Sequence, residues 1–168
     1  NNFKPPRPIP MKKTFVNINV EINCLNDLIN LCDKYPLSNE FEYNINMEAI
    51  HNIRYPITKL NNMIGMKSLK EQIVDQILYF SQYFHVGSND FMHTVIYGPP
   101  GTGKTETAHI IGGIYSKLGI LKKNVFKKVT RADLIAGYLG QTALKTQEVI
   151  KSAIGGVLFI DEAYALGN

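Results

Sequence analysis

The 168-residue sequence predicts an α/β fold built on a parallel sheet, and three observations predict it. A β-branched and aromatic run, His93-Thr94-Val95-Ile96-Tyr97, leads as a strand into the glycine-rich loop Gly98-Pro99-Pro100-Gly101-Thr102-Gly103-Lys104-Thr105, and Glu106–Leu118 reads as the helix behind it. Farther on, Gly155-Gly156 precedes four apolar residues, Val157-Leu158-Phe159-Ile160, which Asp161-Glu162 close. Such a run suits a strand buried on both faces of a parallel sheet. Upstream, Leu69, Ile73, Val74, Ile77, Leu78 and Phe84 mark an amphipathic helix from Lys67 to Phe84.

The loop fits the spacing G-x-x-x-x-G-K-[ST] of a phosphate-binding P-loop. A triphosphate needs many N–H donors on a concave backbone, and glycines let the chain fold back without a Cβ clash. The helix that follows adds unpaired N–H groups and the positive end of its dipole. Lys104 supplies a cation for the β/γ-phosphates, and the Thr105 hydroxyl suits Mg²⁺. Gly112-Gly113 is a blemish in that helix, costing about 1 kcal/mol per glycine relative to alanine; a close helix–sheet contact would explain it.

Ligands of open α/β sheets bind at the carboxyl ends of strands, where Asp161 and Glu162 fall. A carboxylate there can hold Mg²⁺, the role assigned to Asp161, and Glu162 can polarise a water for in-line attack on the γ-phosphorus. Taken alone, the pair reads equally as a solvated strand end; downstream of a P-loop it points to nucleotide hydrolysis.

Gly-Pro-Pro-Gly-Thr-Gly-Lys-Thr with a later Phe-Ile-Asp-Glu-Ala resembles the AAA+ ATPases. Arg131-Ala132-Asp133-Leu134-Ile135-Ala136-Gly137-Tyr138-Leu139-Gly140-Gln141-Thr142-Ala143 and Gly155–Tyr164 resemble one branch, that of the red-type Rubisco activases and the sporulation stage V protein K-like ATPases, with relatives in large DNA viruses. The match runs from about Leu60 to the end of the chain. It implies a P-loop NTPase three-layer sandwich with a parallel sheet, incomplete here, plus a small α/β N-terminal extension. It implies ATP and Mg²⁺ as ligands. Ile64, Gly65, Pro99, Pro100, Gly101, Thr102, Gly103, Lys104, Thr105 and Glu106 then line the nucleotide, with Asn62-Met63-Ile64-Gly65 on the adenine side. Thr105 and Asp161 serve the metal, and Glu162 and Lys104 the chemistry. Tyr138, Leu139 and Gly140 correspond to an aromatic pore loop that grips a polypeptide in a homo-oligomeric, hexameric ring. From local sequence alone, Tyr138 reads rather as a partly buried loop tyrosine. An aromatic beside a glycine hinge also makes a broad, sequence-tolerant contact.

Composition sets further limits. With 45% hydrophobic residues the chain can bury one core. The net charge of +4 gathers partly at Lys122, Lys123, Lys127 and Lys128, beside a predicted strand Val125–Val129. These lysines read as a solvated loop and strand edge rather than a nucleic-acid patch, for Phe126 alone could stack. Cys24 and Cys32 fall in one predicted helix, about 12 Å apart along it, too far for a disulfide; a reduced, intracellular and cytoplasmic protein is expected (host cytoplasm or virion if viral). No run reaches the length of a membrane span and no signal peptide is visible. The histidines lack metal-ligand spacing, and His93 and His109 read as packing residues.

The chain divides near residue 60. Residues 1–13 form an extended, Pro-rich tail, residues 14–59 a small N-terminal extension, and residues 60–168 the N-terminal part of the ATPase core. Thr14–Ile22 alternates apolar and polar residues as a strand with one wet face. Leu25, Leu28, Ile29, Leu31 and Cys32 mark a helix, and a second, short one is expected around Met47–Ile53. The sequence begins without Met and stops six residues after Glu162. A whole module of the family continues with a sensor strand, an arginine finger and a lid, so a longer natural protein is expected. In the family's strand order the P-loop strand does not pair with Val157–Ile160. The resulting expectation is an ATP-hydrolysing motor that remodels or threads a protein. A nucleic-acid-directed motor and a nucleotide-gated binding module without turnover are the alternatives.

Overall fold

The computed structural model describes residues 12–84, 93–138 and 140–167. Of the expected Pro-rich tail, residues 1–13, the first eleven lie outside them. Two short parallel strand pairs are set among helices. Strand β1 (Thr14–Val16) pairs with β2 (Phe41–Tyr43), Thr14 opposite Phe41. Helix α1 (Leu25–Lys34) connects them. Then come α2 (Met47–Asn52), α3 (Arg54–Asn62) and α4 (Lys67–Ser81). Helix α5 (Lys104–Lys117) leads to β3 (Phe126–Val129), and α6 (Arg131–Leu134) and α7 (Thr142–Ala153) lead to β4 (Val157–Ile160) and a 3₁₀ turn, Ala163–Gly167.

Local chemistry starts several of these helices. The Asp27 carboxylate accepts the Asn23 and Cys24 N–H groups at 2.9 and 3.1 Å, closing the start of α1. Asn46 accepts the Ala49 N–H at 3.0 Å at the start of α2. Asp133 accepts from the N–H and hydroxyl of Thr130, at 2.8 and 3.0 Å, at the start of α6. Cys24 is thus the residue before α1 rather than a residue within it, and both cysteines are free.

The main core is helical. Leu28, Ile50, Ile53, Ile57, Leu60, Ile73, Ile77 and Ile114 are fully shielded from water. They join α1 through α5 in one cluster that runs across residue 60. Each such side chain contributes about 1.5–3 kcal/mol by leaving water. Helix α3 packs on α1 and α5. Its signal was present as Ile53, Ile57 and Leu60 at helical spacing, and Pro56 is tolerated because it stands in the first turn.

A second, smaller cluster holds Val129, Leu134 and Val149 with Leu158 and Ile160 against them. Here β3 and β4 run parallel, Phe126 opposite Val157 and Val129 opposite Ile160. The doublet before β4 has a steric reason. A Cβ on Gly156 would lie 2.3 Å from the Val125 carbonyl oxygen, which accepts the Val157 N–H at 2.7 Å. Likewise a Cβ on Gly112 would meet Val157 Cγ2 at 3.2 Å and the Phe126 ring at 3.4 Å, so the helix–sheet contact that would explain this glycine exists. Gly113 has no such neighbour.

Four expectations are corrected. The strand at Thr14–Ile22 ends at Val16, because the Asn44 side chain takes over the next residue: it accepts the Ile18 N–H at 2.8 Å and donates to the Ile18 carbonyl at 3.1 Å. The segment Thr94–Tyr97 is not a strand; it joins no ladder among the described residues, with β4 or otherwise, and a strand exists only by exchanging hydrogen bonds with a neighbour. It nevertheless alternates, with Val95 and Tyr97 outward and Thr94 and Ile96 half-buried. Strand β4 is half-exposed along its whole length rather than buried on both faces. Helix α4 stops at Ser81, and Tyr83 leaves it at φ +62°.

Candidate nucleotide site

The P-loop turns on Gly101 and Gly103, both at φ +78°. α5 begins at Lys104, two residues earlier than predicted, so the loop lysine opens the helix. The N–H groups of its first turn have no partner inside the helix and face the loop's concavity. The Thr102 hydroxyl donates to the Pro99 carbonyl at 2.8 Å. The Lys104 ammonium folds back over the loop, donating to the Gly98 and Pro99 carbonyls at 2.9 and 2.8 Å. It therefore stands at the loop's mouth. Pro100 is exposed and Thr105 half-buried.

Residues Asn62–Gly65 lie against the start of α5. Met63 reaches within 3.1 Å of the place where a Cβ on Gly103 would be. The Thr107 hydroxyl is within 3.5 Å of both the Met63 and Met66 sulfurs and donates to the Gly103 carbonyl at 2.9 Å. From α4, the Lys70 ammonium donates to the carbonyls of Asn61, at 3.2 Å, and Met63. Helix α4 thus ties this segment beside the loop. Ile64 is 98% exposed, and Gly65 takes φ +78°. Glu106 pairs with Lys59 of α3 at 3.2 Å, which turns it toward that helix.

Asp161 stands at the end of β4, its N–H bonded to the Val129 carbonyl at 2.8 Å. Its Oδ2 pairs with Lys128 Nζ at 2.8 Å and its Oδ1 accepts the Glu162 N–H at 3.0 Å. The hydrogen bond from Lys128 is the largest of the influences that hold this carboxyl below the usual carboxylate range; the charge of Lys104 also contributes. Glu162 is exposed at φ +51°, in the left-handed region. It borders an open hollow of about 530 Å³ that Ala136 and Gly137 also line. Arg131 donates across that hollow to the Ala165 carbonyl.

Tyr138 is 77% exposed beyond Gly137, and Gly140 follows at φ +83°. Leu139 lies outside the described residues. Two participants in this region went unread in the sequence as site residues: Lys128, seen only as one of a basic cluster, and Arg131. Only the strand register puts Lys128 beside Asp161. Among the described residues, no group of three or more His, Cys, Asp or Glu side chains could hold a metal by itself, and no helix is long and apolar enough to cross a membrane.

Residues 94–168 match the model of the ATPase family associated with various cellular activities (AAA). A CfxQ-like protein of Acanthamoeba polyphaga mimivirus is 42% identical over 125 residues, 74% of this chain and 31% of the relative. Stage V sporulation protein K of Bacillus subtilis is 38% identical over 129 residues, 72% of this chain and 40% of the relative. The chloroplastic ribulose bisphosphate carboxylase/oxygenase activase of Cyanidioschyzon merolae is 52% identical over 79 residues, 47% of this chain and 27% of the relative. This chain spans less than half the length of each of them.

Proposed function

We propose, from the premise that this chain carries over part of its length an AAA ATPase domain related to the CfxQ-like, stage V sporulation protein K and Rubisco activase branches, that the whole protein is an ATP-driven ring motor acting on a polypeptide. The observation that carries the reading is the glycine-turned loop at the head of α5, with the Lys104 ammonium held at its mouth.

The amides of Gly101–Thr105 and the Lys104 ammonium bind the phosphates, the ammonium exchanging two carbonyl partners for phosphate oxygens. The segment Asn62–Gly65, held by Met63 and Lys70, receives the base on its Ile64 and Gly65 side. Thr105 and Asp161 suit Mg²⁺: they are hard oxygen donors, too few to hold the ion without a nucleotide, and Mg²⁺ ordinarily takes one or two carboxylates plus phosphate oxygens. Bound there, it would neutralise phosphate charge. The Glu162 carboxylate takes the proton from the attacking water. Fixed donors and cations in a partly dry site stabilise the charge that develops in the transition state. Tyr138, with Leu139 and the Gly140 hinge, grips the substrate chain. The three-layer sandwich and the hexamer belong to this same proposal. A nucleic-acid substrate is disfavoured: Lys127 donates to Ser152 at 2.8 Å and Lys128 pairs with Asp161, so half of the basic cluster is engaged internally.

Two variants of the whole protein test the reading. Glu162→Gln should bind ATP as the parent does and lose roughly a hundredfold or more in turnover, because an amide cannot accept the proton. Parental hydrolysis by this variant would remove Glu162 from the chemistry. Tyr138→Ala should keep basal ATPase within about twofold and lose remodelling of a protein substrate, since an exposed ring contributes grip rather than fold. Loss of ATP binding in Tyr138→Ala would instead place the ring at the nucleotide.

A further inference from the structure

Lys128 enters no role assigned so far. It stands on β3 one residue before Val129, whose carbonyl receives the Asp161 N–H, and its ammonium reaches Asp161 Oδ2 at 2.8 Å. The other oxygen of that carboxylate is taken by the Glu162 N–H at 3.0 Å. Both oxygens are thus engaged within the protein. A divalent cation that is to use this carboxylate must share Oδ2 with an ammonium or displace it, and two cations on one oxygen repel. The neighbouring cation makes the selection specific: Lys127, one residue earlier, faces the opposite way and donates to Ser152 Oγ. Strand alternation therefore puts only Lys128 of that pair on the side of the strand end that carries Asp161.

We propose that Lys128 is a positioning residue that competes with Mg²⁺ for the Asp161 carboxylate, and so raises the Mg²⁺ concentration at which this protein holds a nucleotide. The proposal rests on the reading of Asp161 as the magnesium carboxylate. In the nucleotide-free protein Lys128 fills the charge of that carboxylate and keeps it tied to the sheet. When a nucleotide brings its metal, the ammonium gives way, and its long stem lets it swing to solvent, for the side chain is 46% exposed.

The test is binding rather than turnover. Affinity of the whole protein for a fluorescent ATP analogue is titrated against Mg²⁺, and compared with affinity in a chelator. Lys128→Gln, and Lys128→Met as a second neutral variant that keeps the aliphatic stem, should reach half of their Mg²⁺-dependent gain at about two- to fivefold less Mg²⁺, the scale set by an exposed ion pair. Lys128→Arg should behave as the parent. Affinity in the chelator should change by less than about twofold in all three, on the same scale. An unchanged or higher Mg²⁺ requirement in the neutral variants overturns the proposal, as does a loss of affinity confined to the chelator, which would make Lys128 a general attractor of phosphate. Asp161→Asn separates the premise: it should lose most of the Mg²⁺-dependent gain. If it keeps the parental gain, the reading of Asp161 fails, whatever Lys128 does.

Discussion

In the helical cluster, eight large aliphatic side chains from α1, α2–α5 and the residue joining α2 to α3 are completely shielded, whereas in the sheet cluster only Val129 approaches that state and all four residues of β4 keep part of their surface in water. Helices satisfy their own backbones and need only apolar faces to meet. A pair of parallel strands leaves one edge of each strand to be satisfied elsewhere, and two strands alone are marginal in water. Asp161 and Glu162, the proposed catalytic carboxylates, stand on the less buried region, and the candidate phosphate loop opens α5. That helix belongs to both regions: Ile110, Ile111 and Ile114 lie in the helical cluster, while Gly112 meets Val157 and Phe126, and His109 stacks on Phe126 with centroids 3.7 Å apart. The larger apolar core thus lies in one region, and the proposed chemistry lies where α5 joins the two.

The largest expected effect falls on the helical side. Ile57 is fully buried between α1 and α5, so Ile57→Ala should lower stability by about 2–5 kcal/mol in urea unfolding. A loss below about 1 kcal/mol would mean that this cluster does not anchor the fold. Next comes the sheet. Gly156→Ala places a methyl group 2.3 Å from the Val125 carbonyl oxygen, and it should cost about 1–3 kcal/mol. Hydrogen exchange should show the protection of Phe126–Val129 and Val157–Ile160 falling while that of α3 and α4 persists; uniform loss would dissolve the distinction between the regions.

The smallest effect is a matter of pH. Asp27, in the helical region, is held below the usual carboxylate range chiefly by the Asn23 N–H, and Asp133, in the sheet region, by the Thr130 N–H. A carboxyl lowered in the folded state stabilises fully above its unfolded value of about 3.9 and loses that contribution as pH falls through the folded value. Asp133→Asn should therefore be less stable than the parent at neutral pH and converge with it as the pH falls below the folded value, where both carry a neutral side chain. Asp27→Asn should do the same. A gap that persists in acid would assign the loss to packing or geometry, not charge.

Much of the candidate site could be read from the sequence because its constraints are local: Gly98–Thr105 must turn tightly, and Asp161-Glu162 must follow a strand. Helix α4 was equally clear, since its stripe of Leu69, Ile73, Val74 and Ile77 spans several turns. What escaped depended on partners distant in sequence. The β2 strand is only three residues long, too short for a period to register. The alternation from Val16 to Ile22 continues beyond the point where its strand ends, because period reports which face is buried and not who supplies the hydrogen bonds. For Thr94–Tyr97 the same gap works in reverse, an alternating segment with no neighbour. Lys128 acquires its place from register alone.

Asn44 also has a consequence for how the molecule behaves among its own kind. A short two-stranded pair ends in unpaired peptide groups, and such groups template the addition of a strand from another molecule. By presenting its side-chain amide to both the N–H and the C=O of Ile18, Asn44 fills one such docking position with a group that cannot propagate. Beyond Val16 the position that faces the β2 side is thus closed to a strand from another molecule.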